Sequence, residues 1–508
     1  MTVPVTSLDT NRPSRLRLSR FMVDLLSTGV AQLAIVGLSL VLVRIIAGRV
    51  TEEHLGVFMV SRRIVGVLVP LTTLNLGIGL ARYLSFQPAL RGLHASASLW
   101  IVFLLSGAAN LVLTLGSGYF SVSFFGTDRY PGFVVLIGLT LLGANLVGLV
   151  SDIYRGRGEM SWSNGIQVLF FVVPIGLLPI AWRLGRGESG AFLAYHLGLT
   201  GLAGLLLALA FFGLGPAWEV PKGLRSLKAA EVRPLVAYSV SRMPSSFLIG
   251  LVFVWPVLVA GRSGSLELAA RVGILATLVR LMETWSYPFN LIVLPRFAGM
   301  SGEKRAEEIQ IYASLVLDFI VTAIPIIGAL SFGMARGVVE LSFGPAYVEL
   351  AGLASWILLA STAYVAFVLI RGVLDGVHGF PWVNLISIVG LIATGVVLLG
   401  AGSHSLFQLA GALVAGLLGM GGGAVLLLMW TTGARVPFRG FIGGLLAGGG
   451  GFFLARAFDG AVSVIGLGTA ATFLIETVFR IAVLSLVFLL FWRSGSLWGR
   501  AAWSRLWS

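Results

Sequence analysis

The chain has 508 residues, 57% of them hydrophobic and only 11% charged, with a mean hydropathy of +0.96. That composition leaves no room for a sizeable soluble domain and describes an all-α polytopic membrane protein, in which each span must satisfy its own backbone hydrogen bonds. The net charge of +14 is explained by membrane topology and anionic lipid head groups, so no nucleic-acid partner is expected.

Residues 1–20 form a polar N-terminal segment carrying Arg12, Arg15, Arg17 and Arg20. It lacks the short apolar core and small-residue cleavage site of a signal peptide, so the first span is expected to stay. Spans 1–6, at 21–46, 55–81, 96–118, 132–152, 161–182 and 190–213, make a first six-helix lobe (21–213). Span 1 carries Asp24, Ser27, Thr28 and Gln32, and span 2 carries Arg62 and then Arg63, Gly66, Pro70, Thr73 and Gly77 at steps of three and four. Residues 214–232, with Pro216, Pro221 and Gly223, read as a cytoplasmic linker.

Spans 7–12, at 233–260, 266–295, 309–332, 350–372, 380–401 and 405–430, make a second lobe (233–430). Span 7 offers Tyr238, Ser241, Arg242 and Ser245 on one face, and span 8 offers Thr277, Arg280, Glu283, Thr284 and Tyr287. Asp318 lies midway along span 9. Spans 13 and 14, at 438–456 and 470–492, belong with the tail to an appendix, 431–508. Prolines 70, 174, 244, 256, 288 and 325 mark kinks, and the glycine runs GLLGMGGG and GGLLAGGGG mark close helix packing.

An internal repeat supports the division into lobes. YRGRGEMSWSN, between spans 4 and 5, can be laid on LDGVHGFPWVN, between spans 10 and 11, matching Gly156 with Gly376, Trp162 with Trp382 and Asn164 with Asn384. ARYL (81–84) falls in the same way on PRFA (295–298). Both matches relate the lobes as parallel rather than inverted repeats. With both termini in the cytoplasm, 21 basic residues lie in the cytoplasmic segments against eight outside, as the positive-inside bias requires.

Catalysis finds little support. His54, His94, His196, His378 and His404 are scattered, no paired-acid or metal-ligand spacing occurs, and there is no GxxxxGK[ST] phosphate loop, so no cofactor and no metal are expected. The outward loops are short, the longest being 119–131 and 333–349. A chain without cysteine forms no disulfides.

Charge inside the spans is more telling, because an arginine there costs about 2.5–3.5 kcal/mol on insertion scales. At 1.5 Å per residue, Arg62 and Arg63 lie on the order of 12 Å in from the outer face, Arg242 about as far from the inner one, and Arg280 and Glu283 near the middle. Guanidinium groups at mid-depth suit a phosphate or pyrophosphate, which they bind bidentately while staying charged. The candidate substrate-binding residues are Arg63, Arg62, Arg242, Arg280, Tyr238 and Thr277. Arg242 heads them because no acid lies within a turn of it. Arg62 and Arg63 point about 100° apart, so only one is expected to face a given cavity. Simpler readings stand beside this: Arg280 neutralised by Glu283, Glu476 paired with Arg480, Arg271 snorkelling to the surface, and Asp318 as an arginine's partner rather than a proton carrier.

The segments LGVFMVSRRIVGVLVPLTTLNLGIGLARYLS (55–85) and IYRGRGEMSWSNGIQVLFFVVPIGLLPI (153–180) resemble the polysaccharide or O-antigen flippases of the MOP exporter superfamily. The resemblance implies two six-helix lobes around a central cavity, two further C-terminal helices, and alternating access. It also implies a place in the bacterial cytoplasmic membrane and a substrate, undecaprenyl-pyrophosphate-linked oligosaccharide, moved from the cytoplasmic to the outer leaflet. Membrane lipids, a polysaccharide polymerase and glycosyltransferases would be partners. Arg63, Arg242 and Arg280 would hold the anionic head, and Asp24, Glu283 or Asp318 would couple transport to an ion gradient. The rival readings are a multidrug antiporter of the same superfamily, a peptidoglycan-precursor flippase, a membrane polysaccharide polymerase or ligase, and a structural scaffold.

Overall fold

The computed structural model describes residues 15–214, 229–263, 265–302, 306–377, 380–400, 405–434 and four isolated positions beyond. The described residues are helical throughout, without a strand. The first half comprises α1 (Arg15–Ala47), α2 (Glu52–Thr73), α3 (Leu76–Phe86), α4 (Arg91–Leu115), α5 (Ser117–Phe125), α6 (Pro131–Gly156), α7 (Met160–Leu184) and α8 (Ser189–Leu214). The second comprises α9 (Ala229–Arg262), α10 (Leu266–Gly302), α11 (Ala306–Phe343), α12 (Ala351–Val377), α13 (Trp382–Gly400) and α14 (Leu406–Thr432). Eleven of these helices are long and apolar enough to cross a membrane. The molecule is a polytopic α-helical membrane protein. Spans 13 and 14, with the Glu476–Arg480 pair, and most of the linker lie outside the described residues.

Three boundaries differ from the sequence reading. Span 2 is two helices, because Leu74 and Asn75 take left-handed conformations (φ 49° and 57°) and end α2 before α3 begins. The loop after span 3 holds a helix of its own, α5. Span 9 runs on through 333–343 into α11, whose 38 residues measure about 57 Å at the helical rise. The extension is helical because Ala335, Val339 and Phe343, four residues apart, all bury on one stripe.

The internal repeat has a structural counterpart. Asn164, at the start of α7, donates from Nδ2 to Thr28 Oγ1 of α1 (3.1 Å). Asn384, at the start of α13, donates from Nδ2 to the Ser241 carbonyl of α9 (3.0 Å), while its Oδ1 accepts from the Ser245 amide (3.0 Å). Each asparagine thus ties the fifth span of its half to the first. Trp162 lies beside Phe211 of α8, and Trp382 beside Trp430 of α14, tying fifth span to sixth. The difference between the asparagines comes from Pro244, whose ring disfavours the local i to i−4 bond. The Asn384 amide fills the opened step of α9, whereas Asn164 meets only a side chain of α1. The second match, 81–84 on 295–298, has one member whose side chains lie outside the described residues.

The halves meet along α2 with α9 and α10, along α3 with α9, and where α1 packs on α10 and α11. Close approach is set by glycine. A Cβ on Gly250 of α9 would fall 3.5 Å from Val67 Cβ, and one on Gly273 of α10 would fall 2.7 Å from Met59 Cβ. At the break in α2–α3, Asn75 Nδ2 donates to the Arg242 carbonyl (3.3 Å) and to Ser246 Oγ (3.1 Å), so the break in one half lies against the opened step in the other.

Candidate substrate cavity

The face at which α1 begins is called here the near face, and the opposite one the far face. A cavity of about 340 Å³ lies between the halves, walled by Gln32 and Ser39 of α1, Met59, Arg62 and Arg63 of α2, Phe171 of α7, and Thr277, Arg280 and Glu283 of α10. On its far side α2 and α10 close together. Arg63 Nη2 donates to the Gly273 carbonyl (3.3 Å) and to Thr277 Oγ1 (3.0 Å), and Thr277 Oγ1 donates to Gly273 O (2.8 Å). Nearer the far face, Arg271 Nε reaches Glu52 Oε1 at 2.7 Å, and its Nη1 reaches Glu349 Oε1 at 2.9 Å. Arg271 therefore bridges two acids instead of snorkelling alone, because the helix starts bring Glu52 and Glu349 to it.

Both consecutive arginines wall the cavity, contrary to the expectation that only one would. Their 100° separation is spanned because the cavity wraps around α2. Arg62 turns toward α1, donating from Nη2 to Ser39 Oγ (3.0 Å) with its guanidinium over Phe58 (5.6 Å), while Arg63 turns toward α10. Arg280 is 3.6 Å from Glu283 and its side chain is 63% exposed, so pairing and a place on the cavity wall coexist. Glu283 also accepts from Tyr364 Oη (3.4 Å). Among the described residues the cavity presents three guanidinium groups and one carboxylate.

The other candidates stand apart. Arg242 and Tyr238 are together, the guanidinium 3.8 Å from the centre of the tyrosine ring, but neither is among the cavity walls. Arg242 is 3% exposed, with Nε 3.7 Å from Asp375 Oδ1 of α12, and Asp375 Oδ2 is also 3.5 Å from Arg371 Nε. An acid absent within a turn of α9 is thus supplied by another helix. Asp318 is buried, has no cation within ion-pair distance among the described residues, and leaves Oδ1 without a hydrogen-bond partner. The side chain of Asp24 lies outside the described residues.

Sequence reading did not single out Ser39 or Asp375, and it matched Asn384 to Asn164 without giving it a role. Ser39 could have been found by extending the polar face of α1, since Gln32, Val36 and Ser39 follow helical spacing and line the cavity together. Nothing local marks Asp375, and nothing local gives Asn384 its role. No group of three or more metal-ligating side chains occurs among the described residues.

No family model and no curated protein matches the chain. Among solved structures, the chain is similar to the Lipid II flippase MurJ in an inward closed conformation, with TM-score 0.66 at 12% identity over 93% of this chain and 99% of that one. It is similar as well to the eukaryotic MATE transporter AtDTX14, with TM-score 0.59 at 14% identity over 83% and 98%. A third is an inward-facing multidrug resistance MATE family transporter of the MOP superfamily, with TM-score 0.60 at 14% identity over 80% and 98%. The chain has the MATE and MurJ fold. These neighbours are a lipid flippase and two MATE transporters.

Proposed function

We propose that the chain flips polyprenyl-pyrophosphate-linked oligosaccharide from the cytoplasmic to the outer leaflet of a bacterial cytoplasmic membrane by alternating access. The observation that carries this reading is the convergence of Arg62, Arg63 and Arg280 on one cavity with a single acid, Glu283. Arg63 spends one terminal nitrogen on Gly273 and Thr277; a guanidinium has five N–H donors, which leaves others for the oxygens of a pyrophosphate. A volume of about 340 Å³ sits at the lower end of small-molecule sites, so it suits the anionic head while the glycan extends beyond. A multidrug antiporter for cationic compounds would meet like charge here. A peptidoglycan-precursor flippase shares the head-group chemistry and differs in glycan.

Coupling to an ion gradient falls in this proposal to Asp318, which has no cation partner among the described residues, ahead of Glu283, which Arg280 and Tyr364 already engage. The two lobes would rock against each other, parting α2 from α10 at the far face. The reading is tested by deleting the gene and locating lipid-linked oligosaccharide with a membrane-impermeant probe while measuring surface polysaccharide. Accumulation on the cytoplasmic leaflet with loss of surface glycan is expected. Accumulation on the outer leaflet would point instead to a polymerase or ligase, and no change in either to a drug antiporter.

A further inference from the structure

A second cavity, of about 750 Å³, opens at the far face between the junction of α1 with α2 and the segment linking α11 to α12. Its first-half wall carries Arg44, Arg49 and Glu52, and its second-half wall carries Arg271, Gly344 and Tyr347. The charges do not balance. Glu52 is engaged by Arg271, whose other arm takes Glu349. Among the described residues no carboxylate lies within ion-pair distance of Arg44 or Arg49.

These two guanidinium groups are not needed by the helix end that bears them. The last carbonyls of α1 are met by backbone amides: Gly48 N donates to Arg44 O, and Arg49 N and Val50 N both donate to Ile46 O. The Arg49 guanidinium sits 5.0 Å over the ring of Trp182, which fixes its plane and leaves its donors to the cavity. The Arg44 guanidinium lies against Gly344, whose φ of +111° and bare Cα allow that approach; a side chain there would collide with it.

We propose that Arg44 and Arg49 form an anion site for a phosphate-bearing group at the far face, separate from the central cavity. Two planar guanidinium groups without counter-charge, held by stacking and by a glycine turn, match the several oxygens of a phosphate mono- or diester. Both guanidinium groups and Trp182 belong to the first half, and the Gly344 turn that seats Arg44 belongs to the second, so this seating of Arg44 goes with the closed far face. A ligand that binds one arrangement alone shifts the population toward it, and occupancy here therefore slows opening. Two sources supply this chemistry: the phosphate of a neighbouring lipid head group, and a soluble or delivered pyrophosphate.

The test titrates inorganic pyrophosphate into the purified full-length protein in neutral detergent at low salt, following heat and thermal unfolding. Wild type and the Arg63→Gln variant are expected to share a binding event that the Arg44→Gln, Arg49→Gln double variant loses, with affinity at least about ten-fold weaker. The Arg44→Lys, Arg49→Lys variant keeps the charge but not the planar fork and is expected to fall between. Unchanged binding by the glutamine double variant, at an unfolding temperature matching wild type, overturns the proposal; so does equal binding by the lysine and wild-type forms, which would reduce the site to general attraction. Loss of binding in Arg63→Gln with retention in the double variant overturns it too, while supporting the central cavity. In nanodiscs, competition by phosphatidylglycerol but not phosphatidylcholine identifies the head group as the occupant, and no competition identifies the soluble or delivered anion. Either result requires that the site exists.

Discussion

Arg63 combines two roles, closing the far side of the cavity through Gly273 and Thr277 and facing the cavity itself. Arg63→Ala is expected to weaken head-group binding on the order of 10- to 100-fold, the worth of a charge-assisted hydrogen bond, with Arg63→Lys intermediate; transport by reconstituted protein at rising substrate measures it. Arg242 predicts a different phenotype. Its ion pair with Asp375 has side chains only 4% and 8% exposed, and breaking such a pair costs about 3–5 kcal/mol because one charge is left buried. Asp375→Leu, which leaves buried Arg242 without its acid, should lower the unfolding temperature, and adding Arg242→Met should recover much of it; Arg242→Met alone, which leaves Asp375 its contact with Arg371, should cost less. Tyr130, in the turn before α6, donates from Oη to Glu53 Oε1 (2.7 Å), and burial followed by that bond pushes its phenol up from 10 to about 12. A raised acid favours the folded state while neutral, so this contribution is complete below about pH 10 and fades as pH rises toward 12. Tyr130→Phe should therefore flatten the alkaline limb of stability against pH.

At the scale of elements, the sequence made the spans legible because membrane thickness dictates their length, and twelve expected spans have helical counterparts. What could not be read was anything requiring a distant partner. The left-handed break at Leu74 and Asn75 is met by the Arg242 carbonyl and Ser246, and neither local propensity nor hydropathy signals it. Pro244 was expected to kink span 7, but the group that fills the opened step, Asn384, begins a helix four spans later. The repeat picked out Asn384 by its match to Asn164, though not its role. Asn384→Ala leaves the Ser241 carbonyl and Ser245 amide without their partner, at a cost of about 1–3 kcal/mol. Adding Pro244→Ala should restore much of that stability, since the helical bond can then close. Thermal unfolding of the two single variants and the double gives the coupling, and additive effects would sink the idea that the amide substitutes for the missing bond.

Across the whole molecule, two sets of contacts between the halves differ in placement, beside those that α1 makes with α10 and α11. Those of α2 and α3 with α9 extend from Gly261, whose added Cβ would fall 3.6 Å from Val60 Cγ2, to Gly79 beside Ser239 and Leu235. Those of α2 with α10 stop at Thr277, where the cavity begins. Under the proposed rocking motion the first set acts as a spine and the second as a gate. The absence of cysteine lets this be tested without background. A disulfide between Met59→Cys and Gly273→Cys, whose Cβ positions lie within 2.7 Å and must ease apart slightly, should stop transport until reduced. One between Val67→Cys and Gly250→Cys, 3.5 Å apart, should be tolerated. Equal inhibition by both would remove the distinction.

Leucine at position 74 carries a further meaning. A side chain in the left-handed region costs about 1–2 kcal/mol that glycine would not, and the chain uses 66 glycines elsewhere while keeping Leu74 at φ 49°. Its side chain packs against the cluster around Leu76 and Leu80, which holds it there. A residue held uphill beside the contact between the two halves lowers the barrier to leaving the present arrangement. Leu74→Gly relieves that strain and gives up the packing of Leu74 on the cluster around Leu76 and Leu80, so its gain in stability is small and its expected mark is a slower turnover.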